Sequence, residues 1–246
     1  MMINYKELIV LLFLAHTLAD FYFQTESMAE NKEKNFNYVI LHSFIYGIVN
    51  LLIIKFIFTE FDNIYIWIIF ISHFAIDSSK FILKKCDYIK KHENYVFIID
   101  QIIHFIVIII VSYMIAKSGK LYEYNSTLSN ILKIMGLSIQ TVLAIILQIL
   151  LIHKPVNIFI VYMMKPYKPV EKNTKNIIKT GRVIGTIERV IMLFFILIQQ
   201  YSSVGLVLTA KSIARYDKIS KDQQFAEYYL LGTLLSTICV LIISLI

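Results

Sequence analysis

Five long apolar runs, at roughly residues 6–23, 38–58, 63–83, 95–116 and 131–152, constrain the fold of this chain more than any other feature. Each comes near the ~20 residues that an α-helix needs to cross the hydrocarbon core of a bilayer. Composition agrees: 58% of the residues are hydrophobic and the mean hydropathy is +0.68, values that belong to an integral membrane protein. The net charge of +7 then needs no nucleic acid to explain it, because membrane proteins concentrate lysine and arginine in their cytoplasmic loops.

After residue 152 the chain changes character. Residues 153–182 are polar and lysine-rich and hold all three prolines, Pro155, Pro166 and Pro169. They read as a linker with a short interfacial helix around Val156–Met163. An apolar stretch at 183–216 follows, broken by Gln199-Gln200-Tyr201-Ser202-Ser203 and Gly205, and a final apolar span lies near 228–246. The expected architecture is an all-α integral membrane protein in four parts. These are a four-helix transmembrane domain over 1–116, a fifth transmembrane helix in 117–152, a cytoplasmic linker over 153–182, and a C-terminal membrane module over 183–246 with a hairpin and a final helix. Six or seven membrane segments result, with 183–216 expected to be re-entrant. The first run is expected to be a retained helix and not a signal peptide, since it carries His16 and Asp20 and runs into Gln24-Thr25-Glu26 without a small-residue cleavage pattern. Cys86 and Cys239 stand in contexts unsuited to pairing, so neither a disulfide framework nor a thiolate zinc site is expected.

Lysine counts orient the helices. The 24–37 loop holds Lys32 and Lys34 and the 84–94 loop holds Lys84, Lys85, Lys90 and Lys91, whereas the 59–62 loop has Glu60 and Asp62 and no basic residue. The first and third loops are therefore expected in the cytoplasm and the N-terminus outside.

Within these apolar runs lie three His/Asp pairs spaced by four residues: His16 with Asp20, His73 with Asp77, and Asp100 with His104. Four residues is about one α-helical turn, so each pair projects from one face of its helix. A further histidine, His42, lies near the start of the second run. Read against the expected orientation, all seven fall at one depth, near the cytoplasmic ends of four helices that short loops would pack as an up-down bundle. An ionisable group inside a bilayer costs at least ~2.5 kcal/mol unless it is paired, hydrated or ligating something. A divalent transition metal explains all seven together, and proton-sharing dyads or polar contacts between helices are the alternatives.

Imidazole and carboxylate without thiolate suit Zn²⁺, with Mn²⁺ or Fe²⁺ also compatible. Seven groups exceed one tetrahedral shell, so either two ions are bridged by a carboxylate or one ion takes about four ligands that the others orient. The expected activity is hydrolysis of an amphiphilic or phosphorylated substrate by metal-activated water at the cytoplasmic membrane edge. Asp20, Asp77 or Asp100 would serve as general base, and Gln24 and Gln101 would orient water or substrate. Lys80 would meet a substrate anion. A hairpin at 183–216 would bring Glu188, Arg189, Lys211 and Arg215 to the same side, with Lys211 and Arg215 on one helical face to hold an anionic group. Expected partners are thus membrane lipids and an anionic or amphiphilic small molecule, with no nucleic acid. Two other classes fit the same residues: a metal-ion or proton-coupled transporter, and a scaffold with a structural metal. Nucleotide-binding P-loop, zincin and serine-hydrolase motifs are all missing, which leaves ATP hydrolysis, zincin proteolysis and serine-hydrolase chemistry without support.

Several of these motifs also carry a resemblance. His16-Thr17-Leu18-Ala19-Asp20-Phe21 with Gln24 and Lys32, Leu41-His42, His73-Phe74-Ala75-Ile76-Asp77 with Lys80, and Asp100-Gln101-Ile102-Ile103-His104 resemble a bacterial membrane family known only as domain of unknown function 3307. Gly181-Arg182, Gly185, Glu188-Arg189, Lys211-Ser212 with Arg215, and Glu227 with Gly232-Thr233 look like its longer members. The family implies residence in the bacterial cytoplasmic membrane and carries no assigned activity. A looser resemblance, limited to histidine and aspartate in membrane helices, is to inner-membrane metal-dependent hydrolases.

Overall fold

The computed structural model describes residues 4–86, 93–168 and 175–246. Lys90, Lys91 and Pro169, placed above in loops or the linker, lie outside them. The described residues form an all-α fold with one isolated antiparallel bridge, Phe58 to Tyr124, and the chain divides into two compact units, Met1–Leu147 and Gln148–Ile246.

The first unit begins with α1 (Tyr5–Thr17), whose start is fixed by a reciprocal cap. The Asn4 side chain accepts from the Glu7 amide at 2.9 Å, and the Asn4 amide donates to Glu7 Oε2 at 3.0 Å, satisfying two donors that helix geometry leaves over. The helix then widens into a π-turn over Leu18–Tyr22, closed by the Phe23 amide donating to the Leu18 carbonyl five residues back at 3.0 Å. Beyond it the chain turns by 86° into α2 (Glu26–Lys32). Three long apolar helices follow, α3 (Phe36–Ile57), α4 (Asn63–Leu83) and α5 (Glu93–Lys117). Packing runs α1 to α3, α3 to α4, α4 to α5 and α5 back to α1, so the four surround one interior. Leu11, Leu12, Ala15, Val39, Ile54, Ile69, Val111 and Ile115 fill it, while Phe44, Leu52, Trp67 and Ile102 face outward, as lipid-facing positions do. A side-chain carbon added at Gly47 would sit 2.7 Å from Phe70 Cδ2, so glycine is what lets α4 approach α3 there.

The run at 131–152 is not one helix. A short α6 (Ser126–Ile134), capped by the Asn125 side chain, ends at Gly136, whose φ of +69° is glycine's territory. The apolar helix starts afresh as α7 (Ile139–His153) and continues through α8 (Pro155–Met164) to Tyr167, a candidate span of 29 residues. Pro155 stands at the first position of α8, where its missing N–H is not needed. Much of the expected linker is thus helical: proline there starts a helix instead of interrupting one.

The second unit adds α9 (Lys175–Leu197), α10 (Tyr201–Ile213), α11 (Tyr216–Lys221) and α12 (Gln223–Ile243). Between α9 and α10 the chain turns at Gln199, φ 61°, and the two helices fold back on each other so that Lys211 Nζ meets Glu188 Oε2 at 2.6 Å.

Among the described residues five helices are long and apolar enough to cross a membrane, Phe36–Ile57, Asn63–Leu83, Asn94–Lys117, Ile139–Tyr167 and Gln223–Ile243, and six spans result if α1 and α2 count as one bent pair. The chain is a multi-pass membrane protein. The expected six or seven segments become five or six because α9 is too rich in charge and α10, at 13 residues, too short. The bent pair that is apolar enough to be a broken span lies at α1–α2, not at 183–216.

Candidate metal centre

The end of the bundle formed by the last turns of α1, the start of α3, the second half of α4 and the first half of α5 gathers the seven predicted residues. His16, His42, His73, Asp77, Asp100 and His104 are buried, and the Asp20 side chain is 9% exposed. The π-turn determines which partners Asp20 meets. Its Oδ1 lies 3.1 Å from His42 Nε2 and 3.8 Å from His73 Nε2, and its Oδ2 accepts from Gln101 Nε2 at 3.1 Å. The expected stacking of His16 on Asp20 supposed α-helical pitch. Instead His16 Nδ1 lies 3.2 Å from the Tyr46 hydroxyl, and its ring lies 5.2 Å from that of His104.

His73 is the hub. Its Nε2 faces Asp20 and its Nδ1 faces Asp77 Oδ2 at 3.9 Å, and neither nitrogen has a hydrogen-bond partner. The Tyr46 and His104 rings stack parallel to it at centroid distances of 3.6 and 4.7 Å. Two groups of ligand atoms lie within 4.8 Å of one another, Asp20–His42–His73 and His73–Asp77–His104. His73 is common to both. Each group is close enough to hold a metal ion, and its nitrogen and carboxylate donors are the set that zinc and related ions take. His16 and Asp100 stand outside both groups. His16 is engaged with Tyr46, and Asp100 gives Oδ2 to Lys80 at 2.7 Å while Oδ1 lies 3.8 Å from His104 Nε2.

Charge balance makes the site unusual for a membrane interior. Three carboxylates meet two ammonium groups, because Lys32 Nζ reaches Asp77 Oδ2 at 2.5 Å and Lys80 reaches Asp100. With neutral imidazoles one negative charge is left over, which a bound cation would offset. Lys32 and Tyr46 are the site residues that motif spacing passed over. Lys32 arrives from α2 only because the chain bends by 86°. Tyr46 could have been found, since it lies four residues after His42 on the same helical face.

Other expected residues fall as follows. Gln101 donates to Asp20 and, at 3.3 Å, to Asp100, so it orients carboxylates. Gln24 is half-buried just past the π-turn. In the second unit Glu188 pairs with Lys211, Arg189 is buried among neutral groups, and Arg215 is exposed. Lys211 and Arg215 do not share a helical face, because α10 ends at Ile213 and Arg215 lies beyond its cap.

A family model described as protein of unknown function (DUF3307) matches residues 8–132, which contain the whole His/Asp cluster and its two lysines. No curated protein and no solved structure matches the chain. The looser likeness to metal-dependent hydrolases therefore gains no support.

Proposed function

We propose that this chain, which belongs to the DUF3307 family, is a metal-dependent hydrolase of the bacterial cytoplasmic membrane, acting on an amphiphilic or phosphorylated substrate at the cytoplasmic edge. The observation that carries the proposal is His73, a buried imidazole with both nitrogens unpartnered and each facing a different carboxylate. A buried polar atom without a partner costs about 1–3 kcal/mol, and two on one ring call for a ligand.

A bound Zn²⁺, or Mn²⁺ or Fe²⁺, would lower the pKa of its water toward neutrality and polarise a phosphoryl or carbonyl oxygen. The chain's own residues do the rest. Asp20, His42, His73, Asp77 and His104 supply ligand atoms for one or two ions. Gln101 and Tyr46 fix the orientation of Asp20 and His16. Asp100 Oδ1 is buried without a hydrogen-bond partner, so it has a lone pair to accept a proton and is our choice of general base. Lys32 and Lys80 add positive charge beside the cluster, suited to an anionic substrate. Lys84, paired with Glu33, lies at the same end, which by the positive-inside rule supports a cytoplasmic location for that end and an N-terminus outside.

One observation favours a second reading, an ion or proton-coupled transporter. Lys32 and Lys80 already pair with two of the carboxylates, and paired ionisable groups inside a membrane mark ion pathways and proton relays. Metal analysis by mass spectrometry of detergent-purified full chain, prepared without chelators, tests the shared premise: one to two transition-metal ions per chain are expected, and none after His42→Ala with His73→Ala. Metal-free wild type would sink the hydrolase and a metal-ion transporter alike, leaving only proton coupling. Metal-dependent cleavage of phosphatidic acid or p-nitrophenyl phosphate supports the hydrolase. Metal flux into proteoliposomes with no cleavage supports the transporter.

A further inference from the structure

The second unit holds a buried cation that the His/Asp centre does not use. Arg189 is 2% exposed. Its Nη1 donates to Ser236 Oγ at 3.2 Å, and its Nη2 donates to Asn157 Oδ1 at 2.6 Å and to Thr186 Oγ1 at 3.4 Å. Every one of these acceptors is uncharged. Its Nε is buried with no partner, and among the described residues no carboxylate lies within ion-pair distance of the guanidinium. The adjacent acid, Glu188, is held by Lys211.

The local fold is shaped around this side chain. Arg189 leans back over Gly185, one turn earlier, as helical side chains do, and a Cβ at Gly185 would stand 3.2 Å from Nη1. Asn157 is itself held, donating to Thr186 Oγ1 at 2.7 Å, so α8, α9 and α12 each contribute a polar group to one point. The neighbouring outward surface of α9 is apolar, with Val183, Ile187 and Phe194 exposed.

Arginine carries five N–H donors in a planar fork that matches oxyanions. Three acceptors are described here, which leaves the Nε–H and one Nη1–H over. An arginine buried without a counter-charge is among the costliest arrangements a protein interior can hold. The missing component is an anion.

We propose that Arg189, with Asn157, Thr186 and Ser236, forms a second binding site that receives one phosphate-type oxyanion on the unpartnered Nε edge of the guanidinium. A phospholipid headgroup and free inorganic phosphate both offer that chemistry. The site lies outside residues 8–132, and it does not depend on the proposed hydrolase or on any metal.

The test is binding by full-length protein in a non-ionic detergent, read by native mass spectrometry and by thermal shift, with phosphatidylglycerol and inorganic phosphate as separate probes. Wild type is expected to retain at least one of them and to melt at a higher temperature with it. Retention of the lipid alone identifies a headgroup site, whereas stabilisation by phosphate alone identifies a free-anion site. Arg189→Gln should weaken binding tenfold or more, and Arg189→Lys, which keeps charge but not the fork, severalfold. Ser236→Ala leaves the guanidinium in place and should weaken binding severalfold, so it stands in if the arginine variants do not fold. Equal binding by wild type and Ser236→Ala or Arg189→Gln, or no binding of either probe by wild type, overturns the proposal.

Discussion

At one end of the four-helix bundle Phe58, Phe61, Tyr122 and Tyr124 pack with ring centroids 4.6–6.1 Å apart, and at the other four imidazoles crowd three carboxylates. Both ends are buried and both tie helices together, but by different means. The aromatic end is closed by backbone pairing, with Asn125 donating to the Ile57 carbonyl at 2.8 Å and Thr59 to that of Glu123 at 3.2 Å. Its two least exposed acids are answered, Glu7 by the Tyr124 hydroxyl at 2.8 Å and Asp62 by Lys120 and Tyr122. The histidine end keeps orphaned nitrogens and one carboxylate more than it has ammonium groups. One end answers its buried acids with its own donors, and the other has ligand atoms close enough to hold a metal ion.

That contrast can be broken in several places. The largest effect should come from His42→Ala with His73→Ala. Bound metal should fall from one or two ions per chain to none, while the aromatic end, which has no part in binding, keeps its near-ultraviolet circular dichroism. Loss of that signal along with the metal would mean the two ends do not stand apart. Phe58→Ala should do the reverse. About 4 kcal/mol of stability should disappear with its buried ring, measured by reversible denaturation in mixed micelles, with metal stoichiometry unchanged.

Lys32→Met should sharpen the difference. It strips a cation from buried Asp77 and should cost about 3 kcal/mol in metal-free protein. Saturating Zn²⁺ should return part of that loss, and an undiminished loss would argue that the ion and Asp77 do not meet. Tyr124→Phe leaves buried Glu7 short of a donor and should cost about 1–2 kcal/mol, with or without metal.

The smallest effect is a pH dependence at the aromatic end. Hydrogen bonds from the Lys120 ammonium and the Tyr122 hydroxyl hold the Asp62 carboxyl below its usual 3.8. A lowered carboxylate value means the contact stabilises fully above pH ~4 and weakens as pH falls through the folded value. Melting of wild type and Asp62→Asn should therefore differ by a constant amount from pH 7 to 5 and converge below pH 4. Both groups are exposed to solvent, so the effect is small.

Much of the bundle was legible in the sequence because lipid enforces a simple rule on length and polarity. The runs at 38–58, 63–83 and 95–116 emerge as Phe36–Ile57, Asn63–Leu83 and Glu93–Lys117. The convergence of His42, His73, Asp77 and His104 followed from helix phase and depth alone. What escaped depends on departures from regular geometry. Four-residue spacing assigns Asp20 to His16, and only the π-turn hands it to His42. Lys32 looked like a loop cation because hydropathy carries no information about an 86° bend. Pro155 resembled a linker residue, since sequence does not say whether a proline begins a helix or ends one. Arg189 and Glu188 are neighbours in the chain and part company entirely, one to neutral groups in the interior and the other to Lys211.

A π-turn holds about one residue more than the α-turn it replaces, so Leu18–Tyr22 can be viewed as a helix that has absorbed an insertion without changing its heading. Chain length and side-chain identity then become separable variables. Removing Leu18 would let the turn contract to α-helical pitch, swinging Asp20 away from His42 and Gln101 while the path downstream, and with it the reach of Lys32 to Asp77, is preserved. A one-residue deletion would thus uncouple a ligand from its partners yet leave every chemical group of the cluster in the protein, a separation that no substitution at Asp20 itself can achieve.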